Sequence, residues 1–250
     1  MDLKLNGSMS QFLLLPKYFP PPQSADAEGV VCVGGDLSVE LLVDAYRHGI
    51  FPWPFDADEP LVWFSLDPRG IIDPSRYRPS GRVLRRLKRG EFVGTVDTDF
   101  AGVMAGCATS PGRLGETWIT PAMRQAYEHL HELGIAHSAE VRHDGELVGG
   151  VYGVAFGGLF AAESMFHRRR DGSNAALTLL VAHLVARGYR LIDIQQLTPH
   201  TERLGAIAIP RTEYLRRLVS VRDLDVTFGT QLEGDPFALW VGPNRPSGTV

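Results

Sequence analysis

Apolar and polar residues alternate along the middle of the chain in a way that predicts a mixed α/β fold. The Asp144-Gly145 pair separates two extended runs, a pattern typical of a β-hairpin. The second run, residues 147–154, contains three glycines, which indicate a bulge or the close approach of a ligand. A third extended run follows from Leu159 to Met165, so we expect a sheet here.

A helix with an apolar face at 3.6-residue spacing follows the third run. We expect Ser173 or Asn174 to cap its first turn and Gly188 to end it. The apolar face consists of Leu177, Leu180, Val181 and Leu184. Residues 190–194 then form a short buried strand, so the stretch predicts a sheet with a crossover helix.

Polar side chains come at the end of this buried strand. Asp193 and Gln195 lie two residues apart, and alternate residues of a strand point to the same face. Ligands of α/β sheets bind at the carboxyl ends of strands. A carboxylate and a carboxamide on one face at that position therefore predict a functional site.

A strand and a helix are also predicted near the N-terminus. Residues 30–33 are apolar, and Ser38 is placed to cap a helix that ends at Gly49. Between them, residues 34–36 read Gly-Gly-Asp, which is either a phosphate cradle or a plain turn. The spacing of nucleotide-binding loops is missing, so a plain turn is the better interpretation.

Residues 50–68 are dense in aromatic residues and proline. The aromatic residues are Phe51, Trp53, Phe55, Trp63 and Phe64. They either pack in the core or face a cleft, where they stack on a base or an apolar side chain. Prolines favour a loop, which buries little backbone, so the sequence leaves both alternatives open.

The segment 69–89 is strongly basic although the whole chain has a net charge of −4. Its basic residues are Arg69, Arg76, Arg78, Arg82, Arg85, Arg86, Lys88 and Arg89. Ser80 is placed to start a helix within it. A charge run is usually a solvated face, but a basic stripe on a helix also complements the phosphates of a nucleic acid.

Capping residues predict two more elements. Asp99 lies near a helix start after a strand at 92–96, and Thr120 with Pro121 suits the first positions of another helix. Beyond residue 200 we expect helical segments at 203–206 and 210–218, followed by strand-like and loop material over residues 224–241.

The composition of the chain indicates a globular protein and argues against several classes of function. The 250 residues are 44% hydrophobic and 22% charged, as in an ordinary globular protein with one large or two unequal domains. Cys32 and Cys107 lack ligand spacing, which indicates reduced thiols in a cytosolic protein. The histidines between residues 129 and 143 share no ligand spacing, so no metal site is expected. No signal peptide is evident, and the longest apolar stretch is too short to cross a bilayer.

Several stretches are long and specific enough to carry a family resemblance. They are GGDLS at 34–38, AYRHGIFPW at 45–53, DPRG at 67–70, ETWIT at 116–120, LHELGIAHSAEV at 130–141, GELVGGVYGVAFGGLFAAESMF at 145–166, IDIQ at 192–195 and H-x-x-x-LGA at 200–206. Over roughly residues 28–218 the chain resembles the bacterial leucyl/phenylalanyl-tRNA–protein transferase family.

The resemblance implies an aminoacyltransferase that moves Leu or Phe, and sometimes Met, from aminoacyl-tRNA to the α-amine of proteins beginning with Arg or Lys. This marks them for N-end-rule degradation. It also implies an α/β (α+β) fold, with a small N-terminal domain over residues 1–66 and a larger acetyltransferase-like, mixed-sheet domain over residues 67–250. No metal or organic cofactor is implied, and we expect a cytoplasmic monomer without membrane contact.

The resemblance also implies that Asp193 and Gln195 are the catalytic pair, in agreement with their place at a strand end. Asp193 would orient and polarise Gln195, which would hold the attacking amine. Because a carboxamide is a poor general base, the terminal ribose hydroxyl of the tRNA would carry the proton instead. Glu163 would bind the basic side chain of the acceptor, and the alternative for it is a structural ion pair with Arg168.

Binding residues follow from the resemblance in the same way. The apolar side chain of the donor would contact Val151, Phe160, Ser164, Leu180 and Ile192. The terminal adenosine and the aminoacyl group would lie among Tyr46, Trp53, Trp118 and Tyr127. The acceptor stem of the tRNA would lie on the basic residues of segment 69–89 other than Arg69.

The chain departs from the family pattern at three places. Ser173-Asn174 stands where Ser-Lys is common, which weakens a phosphate contact unless the arginines at 168–170 replace it. Residues 198–200 read Thr-Pro-His in place of the usual Asp-His pair after Asn or Thr. Val151 and Leu180 replace Met and Phe of some members, which reshapes the donor pocket and leaves the choice between Leu and Phe open.

Two other classes compete with the transferase. An acyl-CoA-dependent N-acetyltransferase of the same fold needs a Gln/Arg-x-x-Gly-x-Gly/Ala loop before a helix, and residues 167–177 lack it. A non-catalytic RNA-binding protein would explain the basic segment and the aromatic residues. It predicts that Asp193→Ala leaves function intact.

Overall fold

The computed structural model describes residues 15–55, 59–110 and 118–240. The strands are β1 (Val30–Val33), β2 (Phe51–Trp53), β3 (Val62–Phe64), β4 (Arg69–Ile72), β5 (Val93–Val96), β6 (Ala136–His143), β7 (Glu146–Phe156), β8 (Leu159–His167), β9 (Leu191–Gln195) and β10 (Ile207–Ile209). The helices are α1 (Val39–Arg47), α2 (Gly81–Lys88), α3 (Phe100–Ala108), α4 (Pro121–Glu132), α5 (Gly172–Arg187), α6 (Pro199–Arg203), α7 (Arg211–Val221) and α8 (Pro236–Trp240).

The larger sheet has seven strands in the order β10-β4-β9-β8-β7-β6-β5. Strands β8 and β9 are parallel, and the other neighbouring pairs are antiparallel. Helix α5 is the crossover between the two parallel strands and packs on one face of the sheet, while α3 and α4 cover the other face. This mixed α/β architecture confirms the predicted fold class.

The smaller sheet, of order β1-β3-β2, is antiparallel and lies N-terminal to the larger one. It resolves the two alternatives for the aromatic segment. Phe51 and Trp63 are buried in the core, whereas Trp53 is half-buried at a cleft and Phe55 is 60% exposed. The proposed domain boundary after residue 66 falls in the connection between β3 and β4.

The sequence predicted turns and helix caps correctly where the residues of the turn or cap are close together in the chain. Asp144 and Gly145 both have positive φ values, 51° and 83°, as a tight hairpin turn requires, and they join β6 to β7. The Thr120 hydroxyl accepts a hydrogen bond from the Met123 amide at the start of α4. Gly188, with a φ of 90°, ends α5. These predictions are confirmed.

The start of α5 was predicted wrongly, whereas the bulge predicted at the strand glycines has a counterpart in the register shift between Tyr152 and Gly153 in the pairing of β7 with β8. The helix begins at Gly172, with Asp171 as its N-cap residue in the left-handed region, so neither Ser173 nor Asn174 caps it. Gly172 packs directly on β7, because a Cβ atom there would lie 2.4 Å from the carbonyl oxygen of Val148. Gly149 meets Gly172 from the opposite side. The close approach therefore involves the protein's own backbone.

The C-terminal region also differs from its prediction. Residues 203–206 contain the end of α6 and a turn at Gly205, and β10 then pairs with β4. Helix α7 confirms the helical segment predicted at 210–218. Within the described part of 224–241 there is no strand. The Phe228 carbonyl instead accepts a hydrogen bond from the His183 ring of α5. That segment lies against the helix and does not extend a sheet.

Candidate active site

A cleft opens where the parallel strands β8 and β9 separate. Their pairing ends at Ala161 and Asp193, so Glu163 and Gln195 lie beyond the last paired residues. The cleft has a volume of about 310 Å³, in the range of small-ligand sites. Its walls include six residues predicted from the sequence, namely Trp53, Trp118, Val151, Glu163, Ser164 and Gln195.

Asp193 lies beneath this cleft and is fully buried. Its carboxylate accepts two hydrogen bonds from Arg69, at 2.9 and 2.7 Å, and one from the Tyr214 hydroxyl at 2.7 Å. The Arg69 guanidinium lies between the Phe51 and Tyr214 rings, 4.7 and 4.6 Å from their centroids, and donates to the Gly49 carbonyl. Because a buried carboxylate needs such partners, this cluster holds Asp193 in one place.

Asp193 acts on Gln195 through the backbone. One carboxylate oxygen accepts a hydrogen bond from the Gln195 amide at 2.8 Å. Gln195 has a φ of 59°, a left-handed conformation that is unfavourable for residues other than glycine. The amide bond to Asp193 stabilises that conformation. As a result the Gln195 side chain turns toward β8, where its Nε2 donates to Glu163 at 2.7 Å.

Glu163 supplies the carboxyl group among the described residues that line the cleft. Burial raises its pKa to about 8, and the charge of Asp193 acts in the same direction, while hydrogen bonds with Tyr46 and Gln195 lower it. Arg168, the alternative ion-pair partner, instead contacts the Leu147 carbonyl and the Phe166 ring. A carboxyl group that titrates near neutral pH can both accept and return a proton.

Aromatic side chains form the remaining walls and the floor of the site. The Trp53 and Trp118 rings stack with their centroids 5.2 Å apart. Below Glu163, the buried hydroxyls of Tyr46 and Tyr127 are hydrogen-bonded to each other. Burial raises the pKa of both tyrosines well above the ordinary value, so they remain neutral donors.

Three residues predicted to line the donor pocket lie behind the cleft and not on its surface. Phe160, Leu180 and Ile192 are at most 1% exposed and belong to the core between the sheet and α5. The surface of the cleft is supplied instead by Leu177, Ile194, Gln196, Thr198, His200 and Thr201, which were not predicted. The apolar pattern of the sequence does not show which of these residues face a ligand and which face the core.

The basic segment contains ion-paired, buried and exposed residues, and Arg82 and Arg89 are both exposed and ion-paired. Arg82 forms an ion pair with Asp171 at 2.5 Å, and Arg86 contacts both Asp171 and Glu91. Arg69, the first basic residue of the segment, is buried beneath the active site. The other residues predicted to bind tRNA are exposed, namely Arg76, Arg78, Arg85, Lys88 and Arg89.

Next to the cleft, a cavity of about 680 Å³ lies at the N-terminal end of α5. Arg168 and Arg170 line it together with Asn174, and His200 is common to this cavity and the cleft. The His200 ring hydrogen-bonds to the Asn174 side chain at 2.9 Å. The two departures from the family pattern at 173–174 and 198–200 therefore contact each other.

Sequence reasoning also missed Arg69 and Tyr214, the two side chains that hydrogen-bond to the Asp193 carboxylate. Arg69 is 124 residues from Asp193 along the chain, and it stands at the head of a run of exposed arginines. The available signal was its place in the DPRG stretch. Tyr214 lies on α7, and no short-range pattern connects it to the site.

Metal-ligand clusters and membrane-spanning helices are both absent from the described residues. Among residues 15–55, 59–110 and 118–240, no group of three or more His, Cys, Asp and Glu residues is arranged to hold a metal ion. No helix in those ranges is sufficiently long and apolar to cross a membrane. The fold and the cleft define a mixed-sheet α/β enzyme with a carboxyl and a carboxamide facing each other across a strand fork.

Comparison with known proteins identifies the family. The model of leucyl/phenylalanyl-tRNA protein transferase matches residues 71–219, and that of its N-terminal domain matches residues 35–67. The chain belongs to this family, as the motifs predicted. It is 50% identical over 206 residues to the leucyl/phenylalanyl-tRNA–protein transferase of Solidesulfovibrio magneticus, covering 82% of this chain and 83% of that protein. The corresponding protein of Shewanella halifaxensis is 44% identical over 211 residues, covering 84% and 89%.

Likeness to solved structures is weaker. L-PGS from Bacillus licheniformis matches with a TM-score of 0.37 and 13% identity, over 62% of this chain and 49% of that one. A GCN5-related N-acetyltransferase from Kribbella flavida matches with a TM-score of 0.33 and 13% identity, over 69% and 61%.

Proposed function

We propose that this enzyme transfers leucine or phenylalanine from aminoacyl-tRNA to the N-terminal α-amine of proteins that begin with Arg or Lys. The observation that carries the proposal is the Glu163–Gln195 contact at the open fork of β8 and β9, in a chain of this family. The donor ester is already activated. The site therefore has to hold a neutral amine against the ester carbonyl and manage one proton.

The chemistry is aminolysis of the ester. The amine nitrogen attacks the carbonyl carbon, the N–C bond forms, and the bond from that carbon to the ribose oxygen breaks. One proton leaves the amine and one is delivered to the ribose oxygen, so no oxidant or co-reactant is needed. The α-ammonium of a peptide has an ordinary pKa near 8, so a proton acceptor with a similar pKa suits this reaction.

We assign that acceptor role to Glu163. Its raised pKa of about 8 and its place at the cleft support the assignment. Gln195 donates to Glu163 through Nε2, which leaves its carbonyl oxygen available to accept a hydrogen bond from the amine. Asp193 is a positioning residue, because its oxygens are occupied by Arg69, Tyr214 and the Gln195 amide.

The donor occupies the aromatic side of the cleft in this proposal. The stacked Trp53 and Trp118 rings offer a platform for the terminal adenosine, and Val151 and Ser164 lie beside the aminoacyl group. The exposed cations of α2 complement the phosphates of the acceptor stem. Because charged tRNA is a cytoplasmic substrate, we place the reaction in the cytoplasm, with a monomeric enzyme.

The decisive experiment measures transfer of labelled leucine from Leu-tRNA to a peptide that begins with Arg. The control peptides begin with Ala or carry an acetylated N-terminus. We expect transfer to the Arg peptide alone and a large loss in Glu163→Gln. If instead acetyl-CoA raises the melting temperature and supports acetylation while charged tRNA does neither, the protein is an acetyltransferase. Gel filtration with light scattering tests whether the enzyme is a monomer.

A further inference from the structure

A second cavity lies at the amino ends of the parallel strands β8 and β9, whereas the active site lies toward their carboxyl ends. It has a volume of about 400 Å³, in the range of small-molecule sites. Gly157 and Tyr189, which line it, come just before β8 and β9. Residues 226–230, here called the covering segment, form another wall. The proposed transfer reaction does not use this cavity.

An aspartate and two histidines line the cavity. Nδ1 of His137 lies 2.7 Å from a carboxylate oxygen of Asp97, and Nδ1 of His131 lies 2.8 Å from the Ala136 carbonyl. A carbonyl and an ionised carboxylate only accept hydrogen bonds, so each ring carries a proton on Nδ1. When the rings are neutral, their Nε2 atoms are acceptors, and the described part of the chain supplies no hydrogen-bond partner for them.

Tyr189 adds a hydroxyl group to the wall. The residue is only 5% exposed, and burial raises the pKa of its hydroxyl, which therefore stays protonated. The Tyr189 and His137 rings both pack on Phe228, with centroid distances of 6.4 and 4.2 Å. No described residue hydrogen-bonds to the Tyr189 hydroxyl, although buried polar groups generally have a partner. A buried hydroxyl of this kind on the wall of a cavity indicates a place for a polar ligand.

The cavity carries a negative charge. When the histidines are neutral, Asp97 is the one residue with a formal charge among the described residues that line it. Arg187 lies beside the covering segment, but its guanidinium donates to the Thr227 carbonyl at 2.9 Å and forms an ion pair with Glu233 at 2.9 Å. The charge of Asp97 therefore favours a cation. The two Nε2 atoms and the tyrosine hydroxyl match a ligand with several N–H groups.

We propose that this cavity binds a small organic cation with several N–H donors, of the alkylammonium or guanidinium class. The Nε2 atoms of His131 and His137 and the Tyr189 hydroxyl accept hydrogen bonds from it, and Asp97 supplies the opposite charge. Because the covering segment forms one wall and the sheet another, the bound cation holds that segment against the sheet. The site is separate from the cleft and goes beyond the proposed function.

Calorimetric titration with spermidine and agmatine tests the proposal at pH 8, where a histidine ring is ordinarily neutral. An uncharged diol of similar length is the control ligand. We expect both cations to bind and the diol not to bind. Tyr189→Phe removes one acceptor and should weaken binding about tenfold, without lowering the melting temperature, since no described residue uses that hydroxyl. Tyr18→Phe, at an exposed tyrosine away from the cavity wall, should bind like the wild type.

Amide exchange shows where the cation binds. We expect spermidine to raise the protection factors of the covering segment in the wild type, and to raise them much less in Tyr189→Phe at the same concentration. Failure of both cations to bind would overturn the proposal. Equal affinities of the wild type and Tyr189→Phe, with unchanged protection of the covering segment, would place the cations on surface carboxylates instead. Binding of the diol as tightly as the cations would refute recognition of charge.

Discussion

Glu163→Gln gives the sharpest prediction about the chemistry. The substitution keeps the size of the side chain and its capacity to hydrogen-bond Gln195, but it removes the titratable group. If Glu163 accepts the proton, only its ionised form is active. Transfer by the wild type must then rise with pH as this carboxyl group loses its proton, and the variant must lack that component.

The magnitude follows from the raised pKa of about 8. A group with this pKa is ionised to about 9% at pH 7 and about 91% at pH 9. The acceptor amine titrates in the same range, so a single pH profile is ambiguous. The titration of the amine contributes equally to the wild type and to Glu163→Gln, so it cancels in the ratio of their kcat/KM values. We expect that ratio to rise about tenfold between pH 7 and pH 9, because kcat/KM reports ionisations of the unliganded enzyme.

The assay follows initial rates of labelled leucine transfer to an Arg peptide, with hydrolysis of Leu-tRNA measured separately at each pH. Glu146→Gln, at an exposed carboxylate in β7, is the control and should follow the wild type throughout. A constant ratio of wild type to Glu163→Gln across this pH range would refute the proton-acceptor role. It would leave Glu163 as a binding group only.

The remaining predictions concern stability and donor binding. Asp193→Asn leaves the Arg69 cation buried without its counter-ion, so we expect the free energy of unfolding in urea to fall by about 3–5 kcal/mol. Tyr214→Phe removes one hydrogen bond to the carboxylate and should lower it by about 1.5–3 kcal/mol. Equal losses for the two variants would contradict the buried cluster. Trp53→Ala should raise KM for Leu-tRNA several-fold without changing the melting temperature by more than a few degrees. His183 is buried and its pKa is lowered, chiefly by burial, so its stabilising contribution is complete above the ordinary pKa of 6.5 and declines as the pH falls below it. The amide protection factors of residues 222–240, each relative to the intrinsic exchange rate at the same pH, should therefore be lower at pH 5 than at pH 7, and unchanged protection factors would contradict this.

The prediction for His183 follows from its two hydrogen bonds. Nε2 lies 2.9 Å from the Phe228 carbonyl, and Nδ1 accepts from the Glu233 amide at 3.0 Å. Only the neutral ring with its proton on Nε2 satisfies both partners. Protonation of Nδ1 removes the second bond, so acid weakens the attachment of the C-terminal segment to α5.

Local elements of this fold were predictable from the sequence because one or two residues decide each of them. A tight turn at Asp144-Gly145 and the caps at Ser80 and Thr120 depend on neighbours within four residues. The start of α5 was missed since it depends on Gly172 packing against a strand more than twenty residues earlier. Contacts of that kind appear only when the chain is folded.

The site was predictable in part for the same reason. Asp193, Gln195 and Glu163 stand at strand ends or in long motifs, and the structure brings all three together. Arg69 was grouped with the exposed cations, because composition cannot distinguish a buried arginine from a solvated one. The apolar residues Phe160 and Leu180 have the right chemistry for a donor pocket but lie in the core.

The buried cluster also changes how an inactive Asp193 variant is to be interpreted. Arg69, Asp193 and Tyr214 connect β4, β9 and α7, and the Asp193 carboxylate keeps Gln195 in its left-handed conformation. Asp193→Ala removes the oxygen that accepts from the Gln195 amide, so it releases Gln195 from its position beside Glu163 whether or not Asp193 takes part in proton transfer. Loss of activity in Asp193→Ala is therefore expected on structural grounds alone. The pH dependence of the ratio of wild type to Glu163→Gln distinguishes chemistry from positioning, because both of those proteins keep Asp193 and differ in the ionisable group at position 163.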